Sequence, residues 1–486
     1  LLVMLACTLV TFFTGRGISA INARGKQYIS EHEDLTREEK KACKEKTKKK
    51  ARALLRVGVI VDLCMLLFLK YFNFAGENIN KLLALFGAEA RIPGLHLLLP
   101  LGISFYTLQA IAYMTDIYRN KLEADRHLGR FMLFMSFFPQ IVQGPIPRYH
   151  QLAHQLYEGH SFDYRRLTHG AQLMLWGFMK KMIIADRVSV VCNQVFQNYA
   201  QYQGVMIFVT AALYGLQVYS DFSGGMDIAR GVAQILGIEL ELNFRQPYFS
   251  SSIEDFWRRW HITLGAWMKE YIFYPLSLSK PFMNLSRKTR KILGQFIGKR
   301  LPAFLAMFIV YFIVGFWHGA NWKYVAYGIW NGIFIMSGIL LDEVYDKAKA
   351  KVGIDPNSIS WRVFTMVRTF VIVSMGRLFS KASNLSAALG MFRQMSKKFW
   401  DLSPLLDGSL GKLGLNTANW IVVLAFMVVL FVVDFLHEKD VHIREVISRQ
   451  HILFRWAVYL TAILCVVIFG IYGPVYDAAS FIYEQF

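Results

Sequence analysis

The chain has 486 residues, of which 55% are hydrophobic and 18% are charged, and its mean hydropathy is +0.33. Soluble domains carry about 25% charged residues, so this composition indicates a membrane protein. The net charge of +20 is concentrated in loops, and the five cysteines are scattered without a Cys-x-x-Cys pair. Both patterns argue against nucleic-acid binding, a disulfide framework and a zinc or iron–sulfur site.

The apolar residues occur in long blocks, and strand-like alternation is nowhere sustained. Because a lipid-exposed backbone must satisfy its own hydrogen bonds, we predict an all-α polytopic fold of about 11–12 spanning or re-entrant helices. The first block, residues 1–15, lacks a charged leader, a cleavage signal and an initiator Met, so we expect a truncated spanning helix of a longer chain. Further spans are predicted near residues 54–72, 94–118, 131–147, 168–185, 204–222, 253–276, 301–318, 322–341, 361–379, 419–436 and 453–473.

Two clusters of positive charge lie at residues 40–56 and 286–300. The positive-inside rule predicts that both face the cytoplasm, beside anionic membrane lipids. The acidic and basic run at 31–41 is typical of a solvated charged helix, not of a metal site. We therefore predict a basic cytoplasmic loop at residues 31–56.

Three predicted spans contain residues that interrupt helices: 99–119, 137–152 and 218–231. Interrupted helices survive at membrane depth only when they are packed in protein or line a wet cavity, so a polar interior is expected. In the last segment, Asp221 and Asp227 are candidates to orient a histidine or to line a polar channel. Asp227 is equally suited to a buried ion pair with an arginine three residues later.

The first candidate site stretch, residues 250–271, reads SSSIEDFWRRWHITLGAWMKEY. Three serines followed by Glu254 and Asp255 predict a helix N-cap with acids in the first turn, each acid paired with an arginine four residues later. At helical spacing, Trp257 and His261 share one aromatic stripe that faces the bundle interior. By itself this pattern is typical of a hydrogen-bonded structural histidine.

A second histidine lies in the stretch GFWHGANW, residues 315–322. A helix from Leu301 to His318 rises about 25 Å, which places the ring deep in the bilayer or near its far side. We expect Trp317 and Trp322 to wall the ring, and a desolvated imidazole to stay uncharged and able to act as a general base. A satisfied structural histidine remains the alternative. Three residues are expected to loosen the backbone into a bend here: Gly315, Gly319 and Asn321.

Six blocks of the sequence, taken in order, resemble the membrane-bound O-acyltransferase family over nearly the whole chain. The resemblance is strongest to the bacterial branch that O-acetylates alginate and other exported polysaccharides, to which the D-alanyl transferase of teichoic acid is related. The blocks are LLPLGISFYTLQAIAYMTDIYR, FFPQIVQGPIPRYHQL, GFMKKMIIADR, YSDFSGGMDIARGVAQILGIELELNFRQPY, DFWRRWHITLGAWMKEYIFYPL and GFWHGANWKYVAYGIWNG.

The resemblance implies one acyltransferase domain over residues 1–486, a ring of helices around a thin centre with a catalytic tunnel. It places the family's catalytic histidine on His318 and the second active-site position on His261, within a catalytic core segment at 253–345. Four residues are expected to support the site: Trp317, Asn321, Trp257 and Asp221.

The activity implied is transfer of an acyl group, acetyl by preference, from a cytoplasmic thioester to a hydroxyl of an exported or cell-wall polysaccharide. The donor would be acetyl-CoA or an acyl carrier protein, used as a substrate, with no tightly bound cofactor and no metal. An extracytoplasmic acyltransferase or esterase-like protein is the expected partner. The expected location is the bacterial plasma membrane, with the basic loops in the cytoplasm.

Two departures from the alginate branch leave the donor and the acceptor open. After YIFYPL the chain has SLSKPFMNLSRKTRK where the relatives have a Gly-Gly-Asn turn, and residues 377–382 read RLFSKA in place of a Phe-Phe-Arg motif. One rival is D-alanyl transfer from a carrier-protein thioester to teichoic acid. Another is a transporter or flippase, which predicts paired interruptions in two similar halves, and the sequence lacks such symmetry.

Overall fold

The computed structural model describes residues 1–88, 91–96, 99–141 and 144–472, with the side chains of residues 297 and 299 excepted. The chain is 79% helical, and no strand occurs in the described ranges. The backbones of Phe244 and Trp260 form an isolated antiparallel bridge. The predicted all-α fold is therefore confirmed.

The chain divides into two compact units. The first comprises Leu1–Phe162 with Leu236–Glu241. Most of the basic segment 31–56 forms the start of its second helix, which begins after a capping box between Thr36 and Glu39. The helices of this unit are α1 (Leu2–Glu31), α2 (Arg37–Leu85), α3 (Ile103–Tyr118), α4 (Leu128–Ser136), α5 (Phe138–Ile141) and α6 (Tyr149–Tyr157).

The second unit comprises Asp163–Ile235 with Leu242–Phe486 and contains helices α7 to α21, whose bounds are given below. Two π-helical segments, Met179–Ala185 and Lys269–Phe273, continue α7 and α11. Short 3₁₀ turns occur at Tyr199–Gln201, Pro247–Phe249 and Leu410–Lys412. The α-helices are α7 (Tyr164–Phe178), α8 (Asp186–Gln197), α9 (Val205–Ile235), α10 (Ile253–Arg259), α11 (Ile262–Met268), α12 (Tyr274–Ser277), α13 (Lys280–His318), α14 (Trp322–Leu340), α15 (Asp342–Val352), α16 (Ile359–Lys381), α17 (Leu385–Ser396), α18 (Ser403–Leu406), α19 (Thr417–Glu438), α20 (Ile443–Ser448) and α21 (Ile452–Phe469).

Among the described residues, six helices are long and apolar enough to cross a membrane, and a seventh span results if α14 and α15, bent by 67°, are counted together. Of the other predicted spans, 253–276 is split among α10, α11 and α12, whereas 94–118 and 131–147 include residues 97–98 and 142–143, which lie outside the described ranges. The six are α1, α9, the part of α13 at Arg300–His318, α16, α19 and α21.

The predicted interruption at 218–231 is absent, because α9 runs through it without a break. Its glycines serve close packing against α7: a Cβ atom added at Gly177 would lie 2.6 Å from the carbonyl oxygen of Gly224. The segment 99–119 is also uninterrupted from Ile103 onward. The segment 137–152 does break, with α5 and α6 separated by non-helical chain at residues 144–148.

Buried ion pairs neutralise the acids of α9. The π-helical segment Met179–Ala185 directs Lys181 toward Asp221, with Nζ 2.6 Å from Oδ1, and toward Asp186 at 2.9 Å. The preceding Lys180 lies 2.8 Å from Asp227. Because unpaired charges are costly inside a membrane protein, these pairs hold α7, α8 and α9 in a fixed register. Asp227 also lies 3.7 Å from Arg230, so the predicted pair within α9 is present.

Candidate active site

His318 is the last residue of α13, and its side chain is partly accessible. The end of α13 is held against α14 by two facing glycines. A Cβ atom added at Gly315 would run into the carbonyl oxygen of Tyr324 and lie 3.0 Å from the Cα atom of Gly328. Gly315 therefore does not loosen the helix, as the sequence had suggested; it fixes the position of the histidine through close backbone contact.

Aromatic rings surround His318. The Trp317 ring lies 5.1 Å away, edge to face, and the Tyr327 ring of α14 lies 6.0 Å away in a similar orientation. The predicted wall on the Trp317 side is thus present, whereas Trp322 is 51% exposed. Asn321 is the N-cap of α14, where its side chain accepts a hydrogen bond from the backbone N–H of Lys323.

His261 lies in the break between α10 and α11, with φ 47° and ψ 52°. This left-handed conformation is uncommon for a residue with a side chain. The single continuous helix expected across 250–271 is therefore wrong at this point. The predicted start of α10 is correct, because the Ser252 hydroxyl accepts from the Asp255 N–H. The predicted pairs are present too, Glu254 with Arg258 at 3.2 Å and Asp255 with Arg259 at 3.1 Å.

Asn243 fixes the orientation of the His261 ring. The Oδ1 atom of Asn243 lies 3.2 Å from the His261 Nδ1 atom and accepts from the backbone N–H and the hydroxyl of Thr263, both at 3.0 Å. Since a backbone N–H can only donate, the atom facing it is the amide oxygen, and Nδ1 of His261 must donate to it. The neutral ring then carries its lone pair on Nε2.

The His261 side chain is 2% exposed. Burial lowers the pKa of His261, and the positive charge that His318 can carry lowers it further. The ring is therefore uncharged at neutral pH. It packs edge to face against Phe222 at 5.0 Å and lies 6.2 Å from the ring of Trp317. Trp317 therefore contacts both histidines.

Both histidines line a cavity of about 50 Å³. A cavity needs about 10–15 Å³ on the same measure to hold one water molecule, so this one has room for a few non-hydrogen atoms, such as those of a two-carbon acyl group. Its remaining wall is mostly aromatic, as is usual for small-molecule sites. The aromatic residues that line it include Tyr214, Phe222, Trp257, Trp260, Tyr324 and Tyr327.

The predicted site residues thus fall into two groups, with Asn321 and Asp221 outside the cavity lining. His318, His261 and Trp257 lie in the cavity wall, and Trp317 packs between the two histidines. Asp221 lies in the ion pair with Lys181, one residue from the cavity-lining Phe222. Its expected role in supporting the site stays a prediction.

Arg377 is a site residue that the sequence reasoning did not single out. It lies on α16, is 2% exposed and lines the same cavity. Charged residues inside a spanning helix are a signal of function, and the segment 361–379 contains three arginines, Arg377 among them.

A larger cavity of about 540 Å³ lies in the first unit. Basic side chains and amides line it, with no histidine among the residues found there, and its chemistry therefore differs from that of the histidine cavity. The polar residues lining it are Asn22, Lys26, Lys44, Thr47, Lys48, Tyr118, Arg119 and Asn120.

Comparison with known proteins identifies the family. The sequence model of the membrane-bound O-acyltransferase family matches residues 120–376. A probable alginate O-acetylase of Pseudomonas syringae pv. tomato is 34% identical over 81% of this chain and 70% of its own length. A peptidoglycan O-acetyltransferase of Helicobacter pylori is 30% identical over 71% and 64%. A teichoic acid D-alanyltransferase of Streptococcus thermophilus is 27% identical over 52% and 59%. This chain therefore belongs to the membrane-bound O-acyltransferase family, as a multi-pass membrane enzyme that transfers acyl groups.

Proposed function

We propose that this enzyme transfers an acetyl group from a thioester to a hydroxyl of an exported or cell-wall polysaccharide. Two kinds of support point the same way. Relatives of at least 30% identity carry the names probable alginate O-acetylase and peptidoglycan O-acetyltransferase. The observation that carries the proposal is the cavity of about 50 Å³ lined by both His261 and His318, which suits a two-carbon acyl group.

His318 acts as the general base in this proposal. It takes the proton of the acceptor hydroxyl while the hydroxyl oxygen attacks the thioester carbonyl carbon and the carbonyl electrons move onto oxygen. When the carbon–sulfur bond breaks, the thiolate leaves and receives the proton from His318. His261 stays neutral and orients a reacting group through Nε2, while Nδ1 remains bonded to Asn243.

The donor in this proposal is acetyl-CoA or an acetylated carrier protein on the cytoplasmic side of a bacterial plasma membrane. The basic segments at 40–56 and 286–300 support that orientation through the positive-inside rule. The acyl group passes to the outer side, where an acyltransferase or esterase-like partner completes transfer to the polymer. The donor is consumed as a substrate and no bound cofactor takes part.

The test is acyl transfer by purified protein in proteoliposomes that contain labelled acetyl-CoA, together with mass spectrometry of cell-surface polymers from cells that lack the gene. His318→Ala is expected to abolish label transfer while the protein remains folded and in the membrane. His169→Ala, which changes a histidine of the second unit outside the cavity lining, is the matched control. Full transfer by His318→Ala would overturn the proposal.

D-alanyl transfer is the second candidate, because relatives at 26–27% identity are teichoic acid D-alanyltransferases. The same polymer analysis separates the two: loss of an acetyl ester and loss of an alanyl ester differ in mass, and only alanine leaves a free amine. Loss of alanyl esters alone would assign the second function.

A further inference from the structure

The Arg377 guanidinium is only partly satisfied by the protein. Its Nη1 atom donates to the Gly215 carbonyl oxygen at 2.7 Å and to the Tyr248 hydroxyl at 2.8 Å. The group lies 4.1 Å above the ring of Trp260. In the described part of the chain no ion pair joins Arg377 to a carboxylate, and its Nε and Nη2 atoms are buried without a hydrogen bond of ordinary geometry, although the Tyr327 side chain lies near the group.

This arrangement is unusual because a buried cation ordinarily has a carboxylate or a full set of acceptors. An arginine is always charged and carries five N–H donors in a planar fork. Here one nitrogen of the guanidinium donates to Gly215 and to Tyr248, and one face of the group packs on Trp260. Two nitrogens remain, and the residue that carries them lines the cavity with both histidines.

A second residue of the cavity lining carries a donor without a hydrogen-bond partner. The indole Nε1 of Trp257 is buried and has no hydrogen-bond acceptor among the described residues. Two residues of the cavity lining, one on α10 and one on α16, thus carry buried N–H groups that make no hydrogen bond among the described residues. Donors without acceptors at a reaction site match a group that develops negative charge during the reaction.

We propose that Arg377 binds the carbonyl oxygen of the acyl thioester and stabilises the negative charge that forms on it, with Trp257 as a further donor. This inference rests on the acyl transfer proposed above and adds a catalytic residue to it. As the acceptor oxygen bonds to the carbonyl carbon, the electron pair of the C=O bond moves onto oxygen. The N–H groups of Arg377 then bind that oxyanion until the pair returns and the thiolate is expelled.

In this proposal, each of the three polar residues has a different role. His318 moves the proton, His261 holds a neutral ring in place, and Arg377 supplies fixed positive charge. His318 gains a positive charge only as it takes the proton, and it must give that proton to the leaving thiolate, whereas the charge of Arg377 is present throughout the reaction. Because the charge is held by Gly215, Tyr248 and Trp260 before substrate arrives, the group needs no reorganisation during the reaction.

The test measures kcat and KM for acetyl thioester with full-length protein in proteoliposomes, per amount of folded, monodisperse protein. Arg377→Gln removes the charge, and Arg377→Lys keeps the charge but not the planar fork. Arg368→Gln is the matched control, since Arg368 lies on the same helix and donates to the Ser251 carbonyl oxygen. We expect kcat to fall about 100-fold for Arg377→Gln, as for removal of an oxyanion donor, with KM changed by less than about threefold.

Arg377→Lys decides the matter if Arg377→Gln does not fold. An ammonium group carries its three donors on one nitrogen and lacks the planar fork, so it should not hold Gly215, Tyr248 and the substrate oxygen in the same geometry, and kcat is expected to fall at least tenfold in a folded protein. A wild-type kcat in either folded variant overturns the inference. Loss of the folded peak in both variants also overturns it, because Arg377 would then be structural.

Failure of the inference is distinct from failure of the proposed function. If wild-type protein does not consume acetyl thioester, the proposed function fails whatever the variants do. If wild-type protein is active, His318→Ala is inactive and Arg377→Gln keeps its kcat, only the role of Arg377 is lost.

Discussion

The side-chain oxygen of Asn243 lies 3.2 Å from Nδ1 of His261 and takes two further hydrogen bonds from Thr263. One amide oxygen thus sets both the backbone turn into α11 and the tautomer of a histidine in the cavity wall. The left-handed conformation of His261 is held by these bonds, together with the bond from the Ile262 N–H to the Asn243 carbonyl oxygen at 3.0 Å. Asn243 is therefore a positioning residue for the site.

Asn243→Asp tests this role through pH. In the wild-type protein burial lowers the pKa of His261, so the ring becomes protonated only at a pH below its ordinary pKa of about 6.5. A carboxylate beside Nδ1 favours the protonated ring and raises the pKa. If activity needs the neutral ring, the acidic limb of the kcat/KM profile should move to higher pH, by about one pH unit or more.

The control for this change is Asn384→Asp, which alters the N-cap of α17 outside the cavity lining and should leave the profile in place. The measurement is the pH dependence of acyl transfer between pH 5 and 9. An unchanged acidic limb in a folded Asn243→Asp protein would show that His261 does not titrate in the reaction.

Local features around the candidate site were predictable from the sequence, whereas the turn at His261 and the position of Arg377 were not. The serine cap and the acid–arginine pairs of α10 depend on local spacing, and they are present. The turn at His261 depends on a hydrogen bond to Asn243, which is 18 positions away in the chain. A local sequence pattern cannot predict a bond between such distant residues. Arg377 is one of three arginines in the segment 361–379, and only the fold shows that it shares a cavity with His318.

The crossing of α13 and α14 predicts a steric effect at Gly328. A Cβ atom there would run into the carbonyl oxygen of Tyr311 and lie 3.0 Å from the Cα atom of Gly315. Gly328→Ala should therefore lower stability by about 1–3 kcal/mol, since a tight contact with backbone cannot relax easily. It should also lower acyl transfer, because the displaced end of α13 carries His318.

Gly338→Ala is the control on the same helix, because a Cβ atom added there meets nothing within 4 Å. Both variants are compared by thermal unfolding in detergent and by kcat. Equal unfolding midpoints for the two variants would contradict the close packing at Gly328.

The ion pairs of Lys181 predict a large loss of stability for Lys181→Met. Lys181 is 3% exposed and lies between Asp221 and Asp186, so its removal leaves two buried carboxylates without their cation. Breaking such a buried pair costs about 3–5 kcal/mol. Lys181→Met with Asp221→Asn should recover part of this loss, because one of the two stranded charges is then absent.

Lys412→Met, at an exposed position, is the matched control and should leave the unfolding midpoint unchanged. The measurement is again thermal unfolding in detergent. If the Lys181→Met protein is as stable as the control, the ion pairs make no net contribution to the free energy of unfolding.

The same ion pairs explain where the fold departed from expectation. Paired glycines and acids in 218–231 predicted an interrupted helix, but α9 is continuous. The lysines that neutralise its acids come from the π-helical segment Met179–Ala185, and the glycines fit against α7. Hydropathy and turn propensity describe one segment at a time, so they cannot show that a partner helix supplies the missing charge and the close contact.

Trp317 should matter more to the reaction than Trp322, although both flank the same histidine. The Trp317 ring lies 5.1 Å from His318 and 6.2 Å from His261 and is 7% exposed, whereas Trp322 is 51% exposed. Trp317→Ala removes the packing between the two imidazoles and should destabilise the protein by about 3–5 kcal/mol. In the protein that remains folded, kcat should fall at least tenfold because both rings gain freedom.

Trp317→Phe keeps an aromatic ring there and should retain most of the activity, and Trp322→Ala is the control. If Trp322→Ala lowers kcat as much as Trp317→Ala does, the ring between the histidines is not what holds the site together.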